Sequence, residues 1–444
     1  MSPPVLLDLS RLVSRASRPT PTGIDRIELA YAEHLIDRAG DRVSFVAMNA
    51  AGDIAPLRTR YGRLLVDALA RCWRDPDESG RAARRLGMLA RMSGLMPGQR
   101  LLPPAARGSR RRPVYLLVSH QNLHRAARLA RFKVRSGAAF VFFVHDLIPM
   151  DYPEYARPGQ AERHRQRIET ICALADGVVA NSQATADSLA PYIARAGRHI
   201  PVLVAHPGAE FATHCPSSCN IPSTAADGTP YFACIGTIEP RKNHLLLLHL
   251  WRCLAARADA ATPRLKLIGQ RGWENENIVD IIDRCTAISG LLEEHNTLPD
   301  RELRPLLAGA RALLCPAFVE GYGLPIAEAL ALGVPVICSD IPVFREVGRD
   351  VPEFLDPLDG LGWLQAIRDY SAADSPRRAA QLARLPAWHA PRWEPHIDAV
   401  IELIEQISPE AAPLPWQENA AGDLPGKQAA SPRGLKHHHG ARSC

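Results

Sequence analysis

Two glutamates, Glu320 and Glu328, stand on either side of G-Y-G-L-P in the stretch from Phe318 to Asp340, F-V-E-G-Y-G-L-P-I-A-E-A-L-A-L-G-V-P-V-I-C-S-D. Gly321 and Gly323 flank Tyr322, and a backbone without Cβ atoms can approach a ligand closely. Pro325 suits the first turn of a helix, so a helix is expected from about Pro325 to Leu332, stopped by Gly333. Its unpaired first amides can hold hydroxyl or phosphate oxygens. A loop carboxylate and a helix carboxylate then reach one pocket, although acids near a helix start are also what the macrodipole alone favours. The apolar, β-branched Val334–Ser339 that follows reads as a buried parallel strand.

A second constellation is Gly236-Thr237-Ile238-Glu239-Pro240-Arg241-Lys242-Asn243, between an expected strand, Tyr231–Ile235, and an expected helix from about His244 to Ala256. A strand, a glycine turn and two adjacent cations before a helix N-terminus make a diphosphate cradle; solvated surface cations are the alternative. A third is His145, directly after the apolar strand Ala138–Val144. In open α/β sheets ligands gather outside the carboxyl ends of strands, which places His145 well, though a satisfied structural histidine fits too. Gly23, in T-G-I-D-R at Thr22–Arg26, follows a first strand, Val5–Leu9, and an expected loop, Ser10–Thr22; a helix is expected from about Asp25 to Ala39. It is either a phosphate-facing glycine or a plain structural turn.

The frame that positions these residues is a β–α alternation over 444 residues, long enough for two or three domains. The chain is 46% hydrophobic and 23% charged, the balance of an ordinary soluble protein. No uncharged apolar run is long enough to span a bilayer, and the N-terminus lacks the basic start and apolar core of a signal peptide. Ten cysteines without a regular framework point to reduced thiols and a cytoplasmic location; the basic insert Ala51–Arg112, where read as a lipid-facing patch, adds peripheral contact at the inner face of the cell membrane. Cys215, Cys219, His206 and His214 cluster without a standard zinc spacing, and Asp75-Pro76-Asp77 spells D-x-D away from any buried strand, so no metal site is assigned.

The organisation expected is residues 1–211, a linker over 212–229, a second domain over 230–390, a crossing helix over 391–407 and a disordered tail over 408–444. Within the first domain, Ala51–Arg112 departs from the alternation. Fourteen arginines and no lysine against five acids give it an excess of nine positive charges, more than the +6 of the whole chain. It is either a solvated helical insertion or a basic patch for anionic lipid head groups or a pyrophosphate-linked lipid acceptor. After Asp340 the periodic pattern fades until Pro391–Ile407.

The strings E-G-Y-G-L-P-I-A-E, G-x-x-x-P-R-K-N and H-D-L-I-P resemble glycosyltransferase family 4, retaining enzymes of the GT-B fold with an E-x7-E signature. The resemblance implies α/β architecture, two Rossmann-like doubly wound domains facing across a cleft. It implies that Arg241 and Lys242 offset charge on a leaving diphosphate and that Glu320 orients the sugar, as does the Gly321–Tyr322–Gly323–Leu324 backbone. Glu328 would accept from a ribose diol, Gly236 would sit under the diphosphate, and His145 would approach the donor sugar. A glycine at the place of Gly23 comes close to the donor diphosphate in that family, although the usual G-G pair is missing here. No metal or other cofactor is implied, and the leaving phosphate itself helps to deprotonate the acceptor.

H-D-L-I-P, followed by Tyr152–Tyr155, together with G-Q-R-G-W at Gly269–Trp273 is similar to bacterial mannosyltransferases of O-antigen, capsule and exopolysaccharide assembly. The implied donor is GDP-mannose, with UDP- and dTDP-sugars next, and the implied acceptor is a saccharide, lipid-linked. Two other readings are a GT-B protein that binds nucleotide sugar without catalysis and a basic membrane- or nucleic-acid-binding protein. Against nucleic acid, the arginines concentrate in one insert with few aromatics between them, and no nucleic-acid module is present.

Overall fold

Short apolar runs at regular intervals become the strands of two sheets, as expected where both faces of a strand are covered by helices. The computed structural model describes residues 2–74, 76–92, 109, 111–209, 228–257 and 262–408. In the first half, the strands are Val5–Asp8 (β1), Val43–Met48 (β2), Ile54–Leu57 (β3), Val114–Leu117 (β4), Ala139–Val144 (β5), Gly177–Ala180 (β6) and Val202–Val204 (β7). They lie in the order β3-β2-β1-β4-β5-β6-β7, parallel except for β3, which runs antiparallel to β2. The second sheet is parallel throughout, in the order β10-β9-β8-β11-β12-β13, from Tyr231–Ile235 (β8), Arg264–Ile268 (β9), Leu292–His295 (β10), Leu313–Cys315 (β11), Val336–Ser339 (β12) and Glu353–Leu355 (β13). The order reverses beside β1 and beside β8, and a parallel sheet collects ligands at such switch points.

Helices of the first half are Ser10–Arg15 (α1), Gly23–Ala39 (α2), Thr59–Arg74 (α3), Pro76–Arg91 (α4), Ala126–Ser136 (α5), Gln160–Leu174 (α6) and Gln183–Arg195 (α7). Those of the second are His244–Ala255 (α8), Glu276–Arg284 (α9), Asp300–Ala308 (α10), Leu324–Ala331 (α11), Pro342–Gly348 (α12), Gly360–Ser371 (α13) and Pro376–Arg384 (α14), with Trp393–Ile407 (α15) last. The helix α15 leaves the second half and returns to the first. Its Trp393, Ile397, Val400, Leu403 and Ile404 share a core with Tyr31 of α2 and Phe143 of β5. Each such buried side chain contributes about 1.5–3 kcal/mol, so the crossing helix ties the halves together.

Four expectations need correction. The segment Ser10–Thr22 is not all loop: α1 forms because Asp8 Oδ1 accepts from the Ser10 amide at 2.7 Å and Leu12 and Val13 enter the core. Gly23 is not a glycine turn but the first residue of α2, whose start is fixed by a capping box between Thr22 and Asp25. The pattern after Asp340 does not fade. It continues as α12, β13, α13 and α14, which are short or strongly amphipathic and so leave little periodic signal. The basic insert is not wholly outside the fold: β3 extends the first sheet, and α3 buries Leu65, Leu69 and Trp73 in the first core. Asp75, Cys215, Cys219, His214, most of the 212–229 linker and the 409–444 tail lie outside the described residues. Among the described residues no helix is long and apolar enough to cross a membrane.

Candidate active site

The turn after β8 and the loop before α11 meet at the carboxyl end of the second sheet. Pro240–Lys242 forms a tight turn, and the Phe318 amide donates to the Arg241 carbonyl at 2.8 Å, so each loop fixes the other. Glu320 lies half-buried between the two cations: it accepts from Arg241 Nη1 at 2.8 Å and pairs with Lys242 Nζ. Arg241 Nη2 reaches Glu239 Oε1 at 2.6 Å. The result is a compensated quartet of two cations and two carboxylates, shielded from water. Burial alone would raise the Glu320 carboxyl, but Arg241 and Lys242 outweigh it and hold its pKa at about 2. Burial would lower the Arg241 guanidinium, yet Glu320 and Glu239 keep it above its ordinary value. Glu239 moves the other way, raised by burial that the cations only partly offset. Glu320 is therefore the firmly ionised partner.

Glycines let these loops come together. Gly236 has φ 142°, and a Cβ there would stand 3.2 Å from Lys242 Nζ. A Cβ on Gly269 would fall 2.0 Å from the Gly236 carbonyl oxygen, so the ends of β8 and β9 touch backbone to backbone. Gly323, with φ 102°, precedes α11, and Pro325 occupies its first turn. A small cavity opens here, lined by Cys234, Lys242, Glu320, Gly323, Pro325 and Phe344 among others. Glu328 is buried farther along α11 and does not line that cavity.

The same loop docks on the first half. A Cβ on Gly321 would stand 2.3 Å from the His145 carbonyl oxygen and 3.0 Å from Asp146 Cβ. The Gly321 carbonyl accepts from Ser182 Oγ at 2.8 Å and Thr185 Oγ1 at 3.2 Å, both at the start of α7. Ser182 is thus both the helix cap and a clasp on the opposite half. Tyr322 points away from the quartet and donates its hydroxyl to the Pro207 carbonyl at 3.1 Å, so its side chain is an anchor between the halves. Leu324 packs against Gly23, whose Cβ position lies 3.4 Å from Leu324 Cδ1. This contact brings the start of α2 to the start of α11.

His145 sits at the end of β5, buried, with Nε2 bonded to the Val118 carbonyl at 2.7 Å. Burial lowers its pKa to about 4, against the opposing pull of Val118 and Asp146, so the ring is neutral at pH 7. The carbonyl acceptor places the proton on Nε2 and leaves Nδ1 as an acceptor.

Sequence reasoning singled out Arg241, Lys242, Glu320 and Gly236, and the structure brings these four together. It missed Glu239, the second carboxylate, although that residue stands inside the quoted string. It also missed the pairing of Arg26 with Asp300, Nη1 to Oδ2 at 2.6 Å, which joins α2 to α10 across the halves. Residues so distant in sequence carry no local pattern that announces a partnership.

Residues 221–351 match the family model described as "Glycosyl transferases group 1". The chain is 40% identical over 129 residues to O-antigen chain mannosyltransferase B of Escherichia coli, covering 29% of this chain and 33% of that one. It is 29% identical over 231 residues to the serotype-specific mannosyltransferase WbdA of Escherichia coli, covering 48% of this chain and 28% of that one. The chain thus spans about a third or less of the length of these curated relatives. In fold it is similar to the α,α-trehalose 6-phosphate synthase of Burkholderia multivorans, with a TM-score of 0.57 at 14% identity over 92% of this chain and 99% of that one. Residues 221–351 are thus similar to the glycosyl transferases group 1, and they lie in a two-sheet fold of the GT-B type.

Proposed function

We propose that the chain is a retaining glycosyltransferase that moves a hexose, mannose, from GDP-mannose to a lipid-linked saccharide in bacterial surface polysaccharide synthesis. The observation that carries this reading is the Glu239–Arg241–Glu320–Lys242 quartet beneath the glycine turns of the second sheet. Both cations are preorganised in a water-poor site, where charge stabilisation is strongest. A diphosphate entering over Gly236 takes donors from Arg241 and Lys242. Glu320, released from part of that pairing, then turns to the hydroxyls of the sugar, held by the Gly321–Gly323 backbone. Glu328 accepts from the ribose diol of the nucleoside.

In the transfer step the bond from the sugar's anomeric carbon to the leaving diphosphate oxygen breaks. A bond to the acceptor hydroxyl oxygen forms on the same face, and the acceptor proton passes to the departing phosphate. Arg241 and Lys242 take up the charge that grows on that phosphate. Transfer therefore persists in EDTA. Loss of turnover on chelation, restored by magnesium or manganese, would overturn this assignment of roles.

The insert adds a membrane contact to the proposal. Arg81, Arg84, Arg85 and Arg91 are exposed on α4, beside exposed Met88, Leu89 and Met92, a basic and apolar surface suited to anionic lipid. Changing the four arginines to Gln should weaken binding to anionic liposomes, as added salt should too. It should also slow transfer to a lipid-linked acceptor while sparing a soluble one. Equal loss on both acceptors would make the insert part of the catalytic cleft, and no loss on either would leave it a solvated surface.

A further inference from the structure

The first half holds a second group of cations that, unlike the quartet, has no carboxylate paired to it among the described residues. The helix α6 places Arg167 one turn after Arg163 and His164, four and three residues on, with His164 buried, Arg167 half-buried and Arg163 exposed. Among the described residues Arg163 makes no ion pair, and Arg167 makes only one polar side-chain contact, from Nη1 to His164 Nδ1 at 3.5 Å. Arg167 Nε is buried with no partner, as is His124 Nδ1. His164 Nε2 donates to the Asp146 carbonyl at 3.1 Å, and its ring lies 5.0 Å from that of His120, which lies 5.3 Å from that of His145. Burial, then His164, His145 and Arg167, push His120 well below its ordinary pKa, and burial with Arg163 lowers Arg167.

Charges of both signs face the cluster from other elements. Arg11 of α1 acts on Arg167 and His120, and Arg125 acts on His124. On the acidic side, Asp146 acts on both His164 and Arg167, and Asp151 on His164, while Glu162 is drawn to Arg165 at 3.4 Å. Arg167, half-buried and without a carboxylate in contact, carries a standing electrostatic cost, to which the exposed Arg163 adds its like charge. An anion would remove it. His164 bonds the Asp146 carbonyl, and Asp146 Cβ stands 3.0 Å from where a Cβ on Gly321 would sit, so the His164 end of the cluster lies beside the loop that carries Glu320.

We propose that Arg163 and Arg167 form a second anion site, which holds a phosphate or diphosphate group of the acceptor. Two guanidinium groups match the charge near −2 of a phosphate ester better than the −1 of a carboxylate. The inference rests on the glycosyltransferase reading above and deepens it: the acceptor is recognised through a phosphate close to the sugar that receives the hexose.

Calorimetric titration with inorganic pyrophosphate tests it. The wild-type chain should bind two pyrophosphates; Arg163→Gln or Arg167→Gln should lose one, and Lys242→Ala the other. In transfer assays with a farnesyl-diphosphate-linked saccharide, the Arg163 and Arg167 variants should raise KM about 10-fold or more, the scale of one lost charge-assisted hydrogen bond. They should leave kcat, and transfer to the methyl glycoside of the same saccharide, unchanged. Arg163 is exposed, so its variant keeps the fold if Arg167→Gln does not. Retention of both pyrophosphates in the two variants, or equal loss on both acceptors, overturns the proposal and leaves the donor site standing. A Lys242 variant that keeps both pyrophosphates would instead count against the donor reading. Phosphatidylglycerol vesicles separate the sources: Arg163→Gln that sheds vesicles yet keeps pyrophosphate would assign Arg163 to lipid head groups and overturn the inference.

Discussion

Lys242→Ala should lower turnover by about 10²-fold or more, the scale for removing one preorganised charge-stabilising group, and Arg241→Ala should do at least as much. The two should differ in stability. Arg241 contacts both Glu320 and Glu239, so its loss strips two carboxylates of their main cation. Breaking a buried ion pair on one side costs about 3–5 kcal/mol. Lys242→Ala leaves Glu320 still bonded to Arg241, so its cost to the fold should be smaller. Chemical denaturation alongside steady-state kinetics checks both statements. Unchanged turnover in the two variants would remove the diphosphate role, and equal destabilisation would mean that the quartet does not share its charge as described.

Gly321→Val should abolish measurable transfer. A Cβ at that position stands 2.3 Å from the His145 carbonyl oxygen, and backbone meets backbone there, so no flexible side chain can yield. The loop cannot simply lift away, because Ser182 and Thr185 hold its carbonyl. Relief of the clash would move Glu320 out of reach of Arg241 and Lys242 and open the seam between the halves. Gly333→Ala is the control. Gly333 has φ 76° with open space around its Cβ, so alanine there costs about 1–2 kcal/mol of backbone strain and spares activity. Near-normal transfer by the Gly321 variant would show that the loop is not clamped on His145.

The site was legible where one segment carries both shape and chemistry. Gly323 and Pro325 announce a helix start next to Glu320, and Pro240, Arg241 and Lys242 follow a strand with a glycine at its end. Backbone conformation and charge there are dictated by neighbours in sequence. The doubly wound sheets were legible for the same reason, since buried parallel strands such as Ala139–Val144 are continuous apolar runs. Residues whose role depends on a distant partner were not. Tyr322 was assigned to the donor through its backbone, and nothing local announced that its hydroxyl would donate to Pro207, a carbonyl of the other half. Ser182 caps α7, a local role, and is also a clasp on Gly321, a distant one. Arg26 and Asp300 meet only once both sheets have formed. In α1 the packing of Leu12 and Val13 overrides a stretch whose arginines, serines and proline suggest a loop.

The central claim is that the second half binds a nucleotide sugar over the quartet, and thermal unfolding against a panel of GDP-, UDP- and dTDP-sugars in EDTA tests it most directly. A ligand that binds only the folded state at 100 times its dissociation constant adds about 2.7 kcal/mol of stability. The largest upward shift is expected with GDP-mannose, strongly reduced in Lys242→Ala and kept in Arg163→Gln. No shift with any nucleotide sugar, or an undiminished shift in Lys242→Ala, would contradict it.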